Sequence, residues 1–217
     1  MSHGLKKKHG SVFSKIISVL QLLYNHYHRS PKAIRDLQRL AEAMKVKMMK
    51  PSKMNGTRWM PHLSRALTIL LKDDTHSLYV HHFQDIIKNG YGGPICQGRA
   101  KKILAHLANQ KTMHFMHFLL DVLEILSELS LEYQRDTCSL PDTLNALDQA
   151  LMKLYALKIR PGKHLERFMK NTNDKLIFNG VQLVKSTLAK EKLVVKQNAL
   201  VMSVIDHISG NTLCFII

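Results

Sequence analysis

Acidic residues are scarce in this chain: 16 Asp and Glu stand against 32 Lys and Arg, a formal charge of +16 over 217 residues. The shortage is uneven. Between Met1 and Lys72 the only acids are Asp36 and Glu42, against 15 lysines and arginines. A surface built from that segment cannot be laced with salt bridges, so its field attracts polyanions: nucleic acid first, then acidic membrane or an acidic protein. Cysteine is scarce as well. Cys96, Cys138 and Cys214 lie far apart, which excludes a disulfide framework and fits a reducing compartment. No apolar run reaches bilayer length, which excludes integral membrane association. Lys6, Lys7 and Lys8 follow Leu5 directly, leaving no apolar core for a secretory signal. A P-loop, a dinucleotide glycine fingerprint, a Gly-x-Ser-x-Gly elbow and a His-Glu-x-x-His pair are all missing. The expectation is a nuclear or cytosolic protein that is not an enzyme and uses no cofactor.

The rest reads as mainly α, a multi-helix bundle. Val12 to His28 carries a wide apolar face, and Ser30-Pro31 caps and opens a second helix running to about Met49. A third helix follows Arg58-Trp59 to Lys72. Asp73-Asp74-Thr75 turns and caps before a helix over Ser77 to Lys88. Asn89 to Pro94, with its glycines and proline, is the clearest loop. Helices over Gln97 to Asn109 and Lys111 to Gln134 follow, then one opened by Ser139-Leu140-Pro141-Asp142 that ends near Ile159. Between the β-favouring runs around Leu176 and Val184 the Asn179-Gly180 pair predicts a short hairpin. A last helix spans Thr187 to about Ile208. Residues 1–170 read as one helical unit and 171–217 as a hairpin-and-helix appendage.

Several constellations carry possible chemistry. Lys32, Arg35 and Arg39 recur on one helical face, opposite Ile34, Leu37 and Leu40. They form either a phosphate-binding stripe or a solvated face. Trp59, the only tryptophan, is either a base-stacking platform or a core anchor. Asp121, Glu124, Glu128 and Glu132 form an acidic row between leucines, read as an exposed face that pairs with the Arg99-Lys101-Lys102 helix. Thirteen histidines invite a metal, but no cysteine lies at a structural-zinc interval, and exposed or interfacial histidines account for the number; no metal site is expected. Cys214-Phe215-Ile216-Ile217 has the form of a prenylation box, which would place the protein on membranes through Cys214.

Four blocks, in order, resemble one family: Tyr24 to Pro31; Gly56 to Leu71 with Thr57-Arg58-Trp59; Gln97 to Leu104; and Phe118 to Leu123. They are similar to hAT-transposase-derived proteins of vertebrates, which include zinc-finger proteins carrying a domesticated hAT transposase. The resemblance weakens after Gly162. It implies the helical insertion domain of an RNase-H-like transposase, a nuclear location, and DNA rather than RNA as the polyanion. It further implies that Arg58 and Trp59 lie near DNA; the charge pattern of the residues themselves adds Lys32, Arg35, Arg39 and Arg65 as candidate nucleic-acid contacts. In that family two aspartates and a distant glutamate hold divalent metal. The matched blocks fall after the second aspartate, so the triad and strand transfer are not expected from this polypeptide. The resulting expectation is a catalytically inactive hAT-derived fragment with nonspecific nucleic-acid affinity. The alternatives are a helical scaffold for a protein partner or a homo-oligomer, or a prenylated peripheral protein.

Overall fold

The computed structural model describes residues 12–53, 59–136, 139–185 and 190–216; the side chains of 73, 190–191 and 211–216 are outside that description. The architecture is mainly helical with one two-stranded antiparallel sheet. Its elements are α1 (Val12–His28), α2 (Pro31–Ala43), α3 (Trp59–Leu70), α4 (Asp73–Lys88), α5 (Gly93–Leu107), α6 (Gln110–Glu132), α7 (Leu140–Ile159), α8 (Lys163–Asn171), β1 (Ile177–Phe178), β2 (Val181–Gln182) and α9 (Lys190–Ile216).

Helix α6 is the hub. From Phe115 to Leu123 every residue is buried, so this helix is covered on all sides. Helices α1, α3, α5, α7, α8 and α9 all pack on it. Asn109 starts it, its Oδ1 accepting from the Lys111 and Thr112 amides at 3.0 and 3.1 Å. Helix α2 packs on α1 and α4, burying Ala33, Leu37 and Ala41. The segment after residue 170 feeds the same core, through Phe178, Val181 and Leu183 of the hairpin and Leu200, Val201 and Val204 of α9.

Local chemistry set several boundaries as expected. Ser30 Oγ accepts from the Ala33 amide with Pro31 in the first turn. Ser139 and Asp142 form a reciprocal capping box ahead of α7. Asn179 and Gly180 have φ of 48° and 76°, the positive pair that a tight hairpin turn needs, and Phe178 pairs with Val181.

Other boundaries differ. Helix α2 stops at Ala43, six residues before Met49, because Lys45 adopts φ of 56° and the Val46 amide bonds back to the Ala41 carbonyl. That closure is a left-handed C-terminal cap made without glycine. Helix α4 begins at Asp73, not Ser77, so Asp73 belongs to its first turn. Helix α5 begins at Gly93, four residues before Gln97. Helix α8 was not expected at all, and α9 runs on to Ile216.

Candidate nucleic-acid interface

The acidic row of α6 does not pair with α5. Glu128 reaches Lys153 at 2.6 Å on α7, Glu132 reaches Arg135 at 2.8 Å, and Glu124 holds Lys163 of α8. Asp121 is not on an exposed face. It is buried, and its two oxygens accept from the His164 and Leu165 amides at 2.9 and 3.1 Å. An α6 carboxylate thus caps α8 from another helix, meeting both its free N–H groups and the positive end of its dipole. Burial raises the Asp121 pKa, against the lowering by those two amide bonds. These acids are structural.

Ion pairing is therefore lopsided. Among the described residues, every ion pair but one lies between Glu124 and Lys170; the exception is Arg39 with Asp36, at 3.8 Å. No described carboxylate pairs with Arg29, Lys32, Arg35, Arg65, Arg99, Lys101 or Lys102. Lys32, Arg35 and Arg39 share the exposed face of α2, with the Arg39 side chain 79% exposed. Arg65 is exposed on α3, a helix that packs on α4 and α6. Trp59 opens α3 half-buried against the core. Arg58 and the side chain of Cys214 lie outside the described residues.

The cationic side opens into a cleft of about 310 Å³ where α1, α2, α4 and α5 converge. Arg29, Lys32 and Arg99 bring three positive charges to it, and Asp36 and Asp85 two carboxylates. Its rim carries Tyr91, half-exposed, with the Lys32 ammonium 5.5 Å from the ring centroid. The glycine loop sets that ring. Gly92, with φ of 79°, approaches Cys96 so closely that a Cβ would come 2.6 Å from its Sγ. Gln97 Nε2 donates to the Gly90 carbonyl at 3.0 Å.

Two histidines line the cleft from the core side. His82 Nδ1 shares a hydrogen bond of 2.8 Å with the buried Tyr27 hydroxyl. His26 is 3% exposed, sits edge-on to Phe83 at 5.1 Å, and its Nε2 has no hydrogen-bond partner among the described residues. Burial, then the neighbouring His82 and Arg99, lowers the His26 pKa to about 4, so the ring is neutral at pH 7. A second buried group lies by the hairpin. There His117 stacks on Phe168 at 4.8 Å, and His76 Nε2 donates to the Leu107 carbonyl at 3.0 Å. The histidines expected at the surface thus include four in the interior: His26, His76, His82 and His117. Among the described residues no three metal-binding side chains gather.

The stripe on α2 was visible in the sequence; the cleft was not. His26 stands on α1, His82 and Asp85 on α4 and Tyr91 in the loop after it, and no sequence motif joins the three places. The one hint is that two of the similar blocks, Tyr24 to Pro31 and Gln97 to Leu104, supply His26, Arg29, Ser30 and Arg99 to one cleft. Among the described residues, no helix is long and apolar enough to cross a membrane. No family model, curated protein or solved structure matches this chain.

Proposed function

We propose that this chain is a nuclear, hAT-transposase-derived helical unit that lacks catalytic activity and binds nucleic acid, DNA in preference to RNA, through its cationic side. The observation that carries the reading is the segregation of charge. The acids of α6 are spent on α7, α8 and Arg135, whereas the cations of α2 and α5 face solvent with Asp36 as their only ion-pair partner among the described residues. Unpaired cations on one helix face suit phosphate contacts, which position a protein on a backbone without reading sequence. Trp59 contributes to the core of α3 in this reading, with Arg65 and the α2 stripe as the contacts.

Titrating the protein into labelled duplex DNA across a salt series tests this. Log affinity is expected to fall linearly with log salt, at about −0.9 per phosphate neutralised. The triple variant Lys32→Gln, Arg35→Gln, Arg39→Gln is expected to flatten that slope by about 2 to 3 and to weaken binding at least tenfold at low salt. All three side chains are exposed, so the fold is expected to survive. A slope unchanged by the triple variant, or no binding at low salt, counts against the proposal. A second reading, a scaffold for a protein partner, draws on α7, where Met152 and Ile159 are 72% and 89% exposed and Leu144 and Tyr155 share their helical spacing.

A further inference from the structure

The cleft holds groups that a purely cationic face does not need. A duplex backbone calls for positive charge alone, yet Asp36 and Asp85 stand beside Arg29, Lys32 and Arg99. At about 310 Å³ the cleft falls at the lower end of the range for small-ligand pockets, so it suits one compact group rather than a double helix. Three kinds of contact converge there. The cations suit one phosphate. The Tyr91 ring suits a planar group. The carboxylates suit the amino groups on the edge of a base, and the buried His26 ring lines the cleft beside them. Three cations against two carboxylates leave one positive charge, which matches the single negative charge of a phosphodiester.

We infer that the cleft takes one unstacked nucleotide of a single strand, with its phosphodiester against Arg29 and Arg99, its base on Tyr91 and its base edge bonded to Asp85. This rests on the nucleic-acid reading above and adds to it a single-strand pocket. The protein then holds a backbone on the α2 face and one extruded base in the cleft.

The test compares a labelled single-stranded 12-mer with its duplex, using the full chain and the variants Tyr91→Ala and Asp85→Asn. Both positions are exposed, so folding is expected to be kept and is checked by circular dichroism. Loss of one base stack corresponds to roughly a 5- to 150-fold change, so Tyr91→Ala is expected to weaken the single strand at least fivefold and the duplex less than twofold. The imidazole nitrogen resonances of His26 are expected to shift when the strand is added. A deoxynucleoside monophosphate is expected to compete weakly and inorganic phosphate not at all. Equal effects of both variants on single strand and duplex, with no His26 shift, would overturn the pocket while salt-dependent duplex binding kept the broader reading. Competition by phosphate as strong as by the nucleotide would reduce the cleft to an anion site and overturn it too. Tighter binding of the free nucleotide than of the strand would overturn the strand as its source. No binding of either DNA form overturns both proposals.

Discussion

At about pH 5 the protein is expected to be halfway through losing its tertiary structure, and the cause lies in its interior rather than in its surface charge. Burial, as the largest cause, lowers the pKa of His26 and His76 to about 4 and of His117 to about 3. In the unfolded chain these rings titrate near 6.5. Between that value and the folded ones the unfolded state binds more protons. Their stabilisation is therefore complete above pH 6.5 and is lost as pH falls toward 4. Each ring removes up to about 1.4 kcal/mol per pH unit, so three of them remove about 6 kcal/mol by pH 5, comparable with the whole stability of a typical domain. Asp121, with its raised pKa, works with the opposite sign: its contribution is complete below the ordinary aspartate range and is lost as pH rises through its folded value. Near-ultraviolet circular dichroism and Trp59 fluorescence, followed from pH 7.5 to 4, should show a cooperative transition centred at about pH 5. In His117→Leu the midpoint should move to lower pH, because one titrating ring has gone. A flat signal down to pH 4 would refute the argument.

The second large effect is expected at Gly162. A Cβ there would lie 2.6 and 2.7 Å from the two carboxylate oxygens of Asp121. Asp121 is buried and tied to two amides of α8, so it has no alternative position that keeps those bonds. Gly162→Ala either displaces the carboxylate or pushes α8 away from α6. Both outcomes leave buried N–H groups unsatisfied, at about 2 to 4 kcal/mol. Asp121→Asn is expected to cost about 1 to 3 kcal/mol, since one carboxylate oxygen becomes an NH₂ that faces an amide donor. Urea unfolding of the two single variants and the double variant measures this. The double variant should cost clearly less than the sum of the two, because both act on one contact. Strict additivity would show that Gly162 matters for its backbone alone.

These two positions also mark where the sequence stops being legible. Ser30-Pro31, the Ser139–Asp142 box and Asn179-Gly180 act within four residues, so their chemistry can be read along the chain and the structure agrees with it. Asp121 was misread because its spacing with Glu124, Glu128 and Glu132 matches an exposed face. Its actual partners lie 43 and 44 residues away. Helix α8 escaped notice for the same reason: it is only nine residues long and its cap comes from another helix. The end of α2 was illegible because a lysine, not a glycine, takes the left-handed position. Of the candidate interface, the α2 stripe follows from helical periodicity alone. The cleft needed the meeting of α1, α2, α4 and α5, which no local rule supplies.

Burial of α6 on every side also bears on how the molecule comes to exist. Its neighbours α1, α3 and α5 precede it in the chain, and α7, α8 and α9 follow it. During synthesis the first three can collect around it while the surface that α7, α8 and α9 cover still faces water. That exposed strip stays open until some eighty further residues, ending in α9, have left the ribosome. The fold is thus completed late and all together, and the growing chain is most open to aggregation, and most in need of a chaperone, in the interval after Glu132.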